Sequence, residues 1–287
     1  MLKPKPEVNL LQKPVSTIFN SFPNTVALLC GLLICTASTS VSAQTKSAKV
    51  EVPDWALPGS DTHKQVPPPL DFHRPDRTEK IKTGLFDGQS DVGAALVPGS
   101  STFDKTTGAY TVVSAGYNIW YTRDEFRFLW KKMSGNVSLA ADVTFPDTVG
   151  YGDRKVVVII RQSLDDDAKE AMVGLHATGL LHMAWRPERN ENLKEMKVDV
   201  LSLVGENIPR DKSLPHAKRI GIEKKGDEFT VYVSMTGEPM HPYGNPVKLK
   251  LDGPFYVGIG FCSHQPDVTA TGQVSDVVLK NDAGKVK

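Results

Sequence analysis

From Leu85 to Leu279 polar and apolar residues alternate in short runs, and Gly, Pro, Asn or Asp falls in the gaps. Phe255-Tyr-Val-Gly-Ile-Gly-Phe-Cys262 shows the period best: Phe255, Val257, Ile259 and Phe261 share one face, while Tyr256, Gly258, Gly260 and Cys262 share the other. The pattern predicts strands near 92–97, 109–114, 126–133, 136–145, 155–163, 170–177, 179–186, 194–201, 217–225, 228–236, 247–251, 254–262 and 272–281. Ser134-Gly135-Asn136, Thr178-Gly179 and Lys225-Gly226-Asp227 each separate two such runs and read as hairpin turns. No segment sustains a helical stripe beyond two turns. So many short strands predict an all-β chain folded as a two-sheet antiparallel β-sandwich, a jelly roll.

The same alternation assigns faces. Val137, Leu139, Ala141, Val143 and Phe145 point to a core, as do Phe229, Val231, Val233 and Met235. Val173, Leu175, Leu181, Met183 and Trp185 point inward, which sends Met172, Gly174, His176, His182 and Arg186 to the opposite side. Val156-Val-Val-Ile-Ile160 is apolar on both faces, the mark of a central strand, and Arg161 ends it.

The first 83 residues break the pattern. Lys3, Lys5 and Lys13 precede the apolar run Val26 to Ala37 and then Val41-Ser-Ala43, the order of a secretory signal peptide cleaved after Ala43. The run is shorter than a bilayer span requires, so no membrane insertion is expected after cleavage. Cys30 and Cys35 would leave with the signal, and Cys262 alone would remain, a packed thiol in a regular strand. Removal of residues 1–43 leaves 31 basic against 32 acidic side chains. With no basic stripe, nucleic acid is not an expected partner. Residues 44–83 hold Pro53, Pro58, Pro67, Pro68, Pro69 and Pro75 among polar residues and read as an extended arm or linker, with Trp55 and Leu57 to pin it. The expected organisation is therefore a signal peptide at 1–43, an arm at 44–83, a sandwich at 84–282 and a tail at 283–287 in an exported chain, periplasmic or secreted.

Ile159-Ile-Arg-Gln-Ser-Leu-Asp165, with Val173-Gly-Leu-His176 and Gly179-Leu-Leu181, resembles the signature of concanavalin A-like, laminin-G-like jelly rolls. The likeness is to a bacterial branch of uncharacterised domains also found joined to Tol-biopolymer-transport-type β-propellers. Asn118-Ile-Trp120, Phe128-Leu-Trp-Lys131, Ile222 to Asp227 and Pro254 to His264 extend it across 85–280. The resemblance implies the fold and one of several roles: a glycan-binding module, a glycoside hydrolase or lyase, or an interaction domain.

Such folds offer ligands the outer face of one sheet. Arg161, His176, Arg186 and His264 fall there on the alternation, with Trp120 and Trp130 as stacking platforms and Gly258 and Gly260 letting a ligand approach the backbone. Trp130 equally shares the face of Phe126 and Phe128, as a core residue would, and Arg161 equally suits an ion pair with Glu223 or Asp165. Asp165-Asp-Asp167 offers oxygen ligands of the kind Ca²⁺ takes, but it lacks Asp-x-Asp-x-Asp-Gly spacing and reads as a solvated turn; no cofactor is otherwise expected. His63, Asp71, His73 and Asp76 are too irregular for a metal site. A hydrolase of this fold needs facing carboxyl groups about 5 to 10 Å apart. No strand carries a Glu-x-Asp-x-(x)-Glu run, Glu188, Glu191 and Glu195 follow Arg186 as rim residues, and there is no Gly-x-Ser-x-Gly elbow. The expectation is a non-catalytic module that binds carbohydrate or another extracytoplasmic ligand. An enzyme of the same fold, or an envelope protein partner contacted through the arm, is the alternative.

Overall fold

A computed structural model describes residues 74–204 and 214–287. The chain divides into Met1–Lys49 and Val50–Lys287, and every described residue lies in the second unit. The signal peptide and most of the arm, including Trp55, His63 and His73, lie outside the described residues.

The strand-forming runs pair into two large antiparallel sheets, a two-sheet jelly-roll sandwich. In the first sheet the order is β1 (Arg77–Glu79), β2 (Gly88–Val92), β7 (Phe126–Met133), β16 (Phe255–Cys262), β9 (Lys155–Arg161), β10 (Glu170–His176), β11 (Leu181–Arg186) and β12 (Lys194–Lys197). In the second it is β15 (His241–Lys248), β14 (Glu228–Ser234), β13 (Arg219–Lys225), β8 (Val137–Thr144), β17 (Gln265–Asn281), β4 (Tyr110–Gly116) and β3 (Ser100–Phe103), with β18 (Gly284–Lys285) folded back on β17. A small separate hairpin joins β5 (Ile119–Trp120) to β6 (Arg123–Asp124).

The core between the sheets is built by the faces that alternation assigns. Val156, Val158, Ile160, Val173, Leu175, Leu181, Met183, Val257, Ile259 and Phe261 from the first sheet meet Leu139, Ala141, Ile220, Ile222, Phe229, Val231 and Val233 from the second. Each Val, Leu, Ile, Phe or Met side chain among them contributes about 1.5–3 kcal/mol by leaving water.

A second apolar layer covers the far side of the first sheet. It contains Val92, Phe126, Phe128, Trp130, Val157, Ile159, Met172, Ala184 and Cys262, capped by Ile119 of the small hairpin. All seven residues of β9 are buried because both of its faces are covered. The aromatic rings of β7 lie over the glycines of β16, in the register Gly258↔Trp130 and Gly260↔Phe128. A Cβ on Gly258 would strike the Leu129 carbonyl, and one on Gly260 would sit 2.6 Å from the Phe126 ring.

Several boundaries differ from the sequence pattern. The run at 194–201 is a strand only to Lys197, and α1 (Val200–Val204) follows it as a single turn of helix. Instead of 247–251, the strand is His241–Lys248, a half-exposed edge where alternation has no second buried face to register against. Arg77–Glu79, from the end of the arm, pairs with β2 as an edge strand. Its three residues are all exposed, so no apolar period marked it.

Candidate functional site

The outer face of the first sheet is largely roofed by residues 117–125. The backbone of this segment closes on itself through Glu125 N–H to Asn118 O (2.7 Å) and Tyr117 N–H to Glu125 Oε2 (3.1 Å). Two buried cations then hold it from below. Lys155 Nζ donates to Ile119 O at 3.0 Å, and Arg186 Nη2 donates to Tyr121 O at 3.2 Å, so the carbonyls on either side of Trp120 are both fixed.

At one end of this roof an ion cluster is sealed from solvent. Asp124 Oδ1 accepts from Arg186 Nη2 at 2.7 Å, and its Oδ2 accepts from Arg186 Nη1 at 2.9 Å and Arg161 Nη2 at 3.2 Å. Glu170 faces both guanidiniums at 3.5 and 3.6 Å, and all four side chains have no exposed surface. Burial, and then repulsion from Asp124, pushes the Glu170 carboxyl up to about 7. Nearby, Asp165 and Asp167 face Arg189 at 3.3 and 2.7 Å, and Asp166 faces Arg123 at 3.9 Å, so the acidic turn is paired with arginines.

At the other end the roof stops short and leaves a cleft of about 250 Å³. Its walls come from five places: Asn118, Trp120 and Tyr121 from the roof, Asp153 and Lys155 from the entry to β9, His176 and Leu180 from the β10–β11 turn, His182 and Glu195 from β11 and β12, and His264 from beyond β16. Trp120 stacks on the His182 ring, with centroids 5.5 Å apart and planes 15° from parallel. Lys155 Nζ lies 5.5 Å from the Trp120 ring centre. His182 Nδ1 is 2.8 Å from Glu195 Oε1, and its Nε2 is 3.4 Å from His176 Nε2. His176 Nδ1 faces Asp153 Oδ1 at 3.6 Å, and His264 Nε2 faces Asp153 Oδ2 at 3.9 Å.

Burial dominates the protonation of this group. It holds the His176 imidazole down at about 3 and lowers His182 and the Lys155 ammonium as well. Asp153 and Glu195 are held below the usual carboxylate range, chiefly by hydrogen bonding to His176 and His182 respectively. At neutral pH His176 and His182 are therefore neutral imidazoles beside two ionised carboxylates.

Of the residues singled out in the sequence, the structure brings Trp120, His176 and His264 together and separates the others from them. Arg161 lies at the opposite end of β9 from Lys155, and His176 pairs with Lys155; six residues of strand put it about 20 Å from the cleft. Arg161 and Arg186 belong to the sealed cluster, and the partners of Arg161 are Asp124, Glu170 and the Asp165 carbonyl, with no pairing to Glu223. Gly258 and Gly260 do not present open backbone, because Phe126 and Phe128 cover them. Trp130 is packed in the same layer, its Nε1 donating to Ser90 Oγ at 2.9 Å.

Asp153, Lys155 and Asn118 were not among the sequence candidates. Lys155 was findable, since it shares the outward period of Val157, Ile159 and Arg161, whereas Asp153 sits in a turn where no period applies. A wider groove of about 410 Å³ crosses the second sheet beside Arg219, Tyr232 and Met240. Two of its polar side chains are already engaged, Arg219 with Asp142 and Tyr232 with Glu223.

No protein-family model matches the chain, and no curated protein matches it. Among solved structures it is similar to a functionally unknown protein from Saccharomyces cerevisiae, with 13% identity and a TM-score of 0.47 over 64% of this chain and 93% of that one. It is similar also to a carbohydrate-binding module, CBM66, from Bacillus subtilis, with 15% identity and a TM-score of 0.40 over 64% and 92% of the two chains. The lectin I of Ulex europaeus, in complex with the methyl glycoside of α-L-fucose, aligns at 12% identity and a TM-score of 0.38 over 69% and 95%.

Proposed function

We propose that the protein is an exported, non-catalytic module, periplasmic or secreted, that binds one sugar residue of a glycan in the cleft beside Trp120. The observation that carries this reading is the composition of the cleft. A half-buried indole, hydrogen-bond donors (Asn118, Lys155) and acceptors (Asp153, Glu195) converge on about 250 Å³. A pyranose needs an apolar plane for its C–H face and both kinds of polar partner for its hydroxyls. The volume is below the usual range of about 300–1,000 Å³ for drug-sized ligands, which suits a single sugar unit.

Protonation weighs against a glycoside hydrolase. Such an enzyme needs one carboxyl group held protonated near neutral pH beside the scissile bond. Both carboxyls of the cleft are shifted the other way, and Glu170, the one raised to about 7, has no exposed surface. His176 at about 3 is too weak a base to drive proton abstraction at neutral pH.

Screening the chain against a glycan panel, followed by calorimetry on hits, tests the reading. Binding that disappears in Trp120→Ala, with the unfolding midpoint retained, supports it. Absence of binding to every glycan, or binding indifferent to Trp120, removes it.

A further inference from the structure

The geometry points to a divalent transition-metal site at the floor of the cleft, held by the Nε2 atoms of His176 and His182. It rests on the two imidazoles and their neighbours, and it stands whether or not a sugar binds above them. The Nε2 atoms are 3.4 Å apart. That is longer than the usual hydrogen-bond range of about 2.7–3.2 Å, whereas two Zn–N bonds of about 2.0–2.1 Å at the tetrahedral angle span about 3.3–3.4 Å.

The outer nitrogen of His182 fixes where that ring carries its proton. Glu195 Oε1, 2.8 Å from His182 Nδ1, can only accept, so His182 carries its proton on Nδ1 and leaves a lone pair on Nε2. His176 Nδ1 likewise faces a carboxylate, Asp153, at 3.6 Å. A proton on His176 Nε2 gives the pair a long hydrogen bond to His182, whereas a proton on Nδ1, toward Asp153, leaves two lone pairs facing one point across 3.4 Å, the arrangement a cation bridges. Carboxylate, imidazole and metal in series is the usual environment of a metal-bound histidine.

The rest of the site is built to keep these rings in place. Trp120 stacks on His182, and Gly174 opposite it has no side chain, where a Cβ would come within 2.8 Å of His182 Nε2. Asp153 and Glu195 outnumber the Lys155 ammonium, whose Nζ is turned to the Ile119 carbonyl. Among the described residues no set of three side chains converges as ligands, so the remaining positions fall to water or to ligand oxygens from the cleft.

The test uses the untagged full chain titrated with Co²⁺ and then with competing Zn²⁺. One equivalent should give the intense visible absorption of a low-coordinate Co²⁺, displaced by Zn²⁺, and Zn²⁺ should raise the unfolding midpoint. His176→Gln and His182→Gln should each weaken binding by roughly 100-fold or more, and Glu195→Gln by about 10–100-fold. Long-range ¹H–¹⁵N spectra of the metal-free wild type give a readout independent of any variant, and both rings should be protonated at Nδ1. No absorption and no shift of the midpoint at millimolar metal, undiminished binding in the double variant, or an Nε2–H on either ring would each overturn the site in favour of a plain imidazole pair.

Discussion

Asp124→Asn is the sharpest test of how the roof is held. Both oxygens of Asp124 accept from guanidiniums, so either orientation of the new amide turns an NH₂ donor against an arginine donor. At least one charge-assisted hydrogen bond is lost, worth about 1.5–3 kcal/mol. Two buried guanidiniums are also left with Glu170 as their facing carboxylate. Breaking a buried pair from one side costs about 3–5 kcal/mol. Loss of Asp124 also removes a repulsion that keeps the Glu170 carboxyl high, so its fuller ionisation offsets part of the cost. A net destabilisation of about 3–4 kcal/mol is expected, against a total of about 5–15 kcal/mol for an ordinary domain. Equilibrium unfolding in urea measures it, with Asp87→Asn as the control because the Asp87–Lys131 pair is solvent-exposed and worth about 1 kcal/mol or less. If the two variants lose stability equally, or Asp124→Asn loses less than about 1 kcal/mol, the roof is not clamped by this cluster.

Other outcomes follow from the same contacts. Gly260→Ala should destabilise by about 1–3 kcal/mol or more, because its Cβ would meet the Phe126 ring; an unchanged urea midpoint would show that the aromatic layer yields. The folded-state shift of His176, from 6.5 to about 3, means its stabilising contribution is complete above pH 6.5 and is lost as pH falls toward 3, by up to about 4–5 kcal/mol. His176→Gln should flatten the stability profile across that window, and a profile identical to wild type would contradict the assignment. The buried Cys262 thiol, pushed up by burial, should resist a thiol reagent in the native chain and react on unfolding.

Alternation was enough to divide the central strands into their two faces, and the inter-sheet core it assigned from Val137 to Met235 is the one the structure has, whereas the strand expected at 92–97 is a turn between β2 (Gly88–Val92) and β3 (Ser100–Phe103). It could not say which outward face is covered. Phe126, Phe128 and Trp130 share a period with Gly258 and Gly260 across the sheet, but only the register of β7 against β16 places the rings over the glycines. The roof was unreadable for a related reason: Asp124 is 37 residues from Arg161 and 62 from Arg186, and no local pattern links residues so far apart. His176, His264 and Trp120 were identifiable as outward-facing polar or aromatic residues, whereas Asp153 and Glu195 gain their meaning from the imidazoles they face.

The most direct test of the central claim, that the roof leaves a cleft for one sugar unit beside Trp120, is calorimetric titration with oligomers of increasing length from a glycan that binds. Affinity per site should level off at the monosaccharide or its methyl glycoside and vanish in Trp120→Ala. Affinity that rises steadily with chain length, or survives loss of Trp120, would mean that the ligand lies along an open sheet face and that the roofed cleft is not the site.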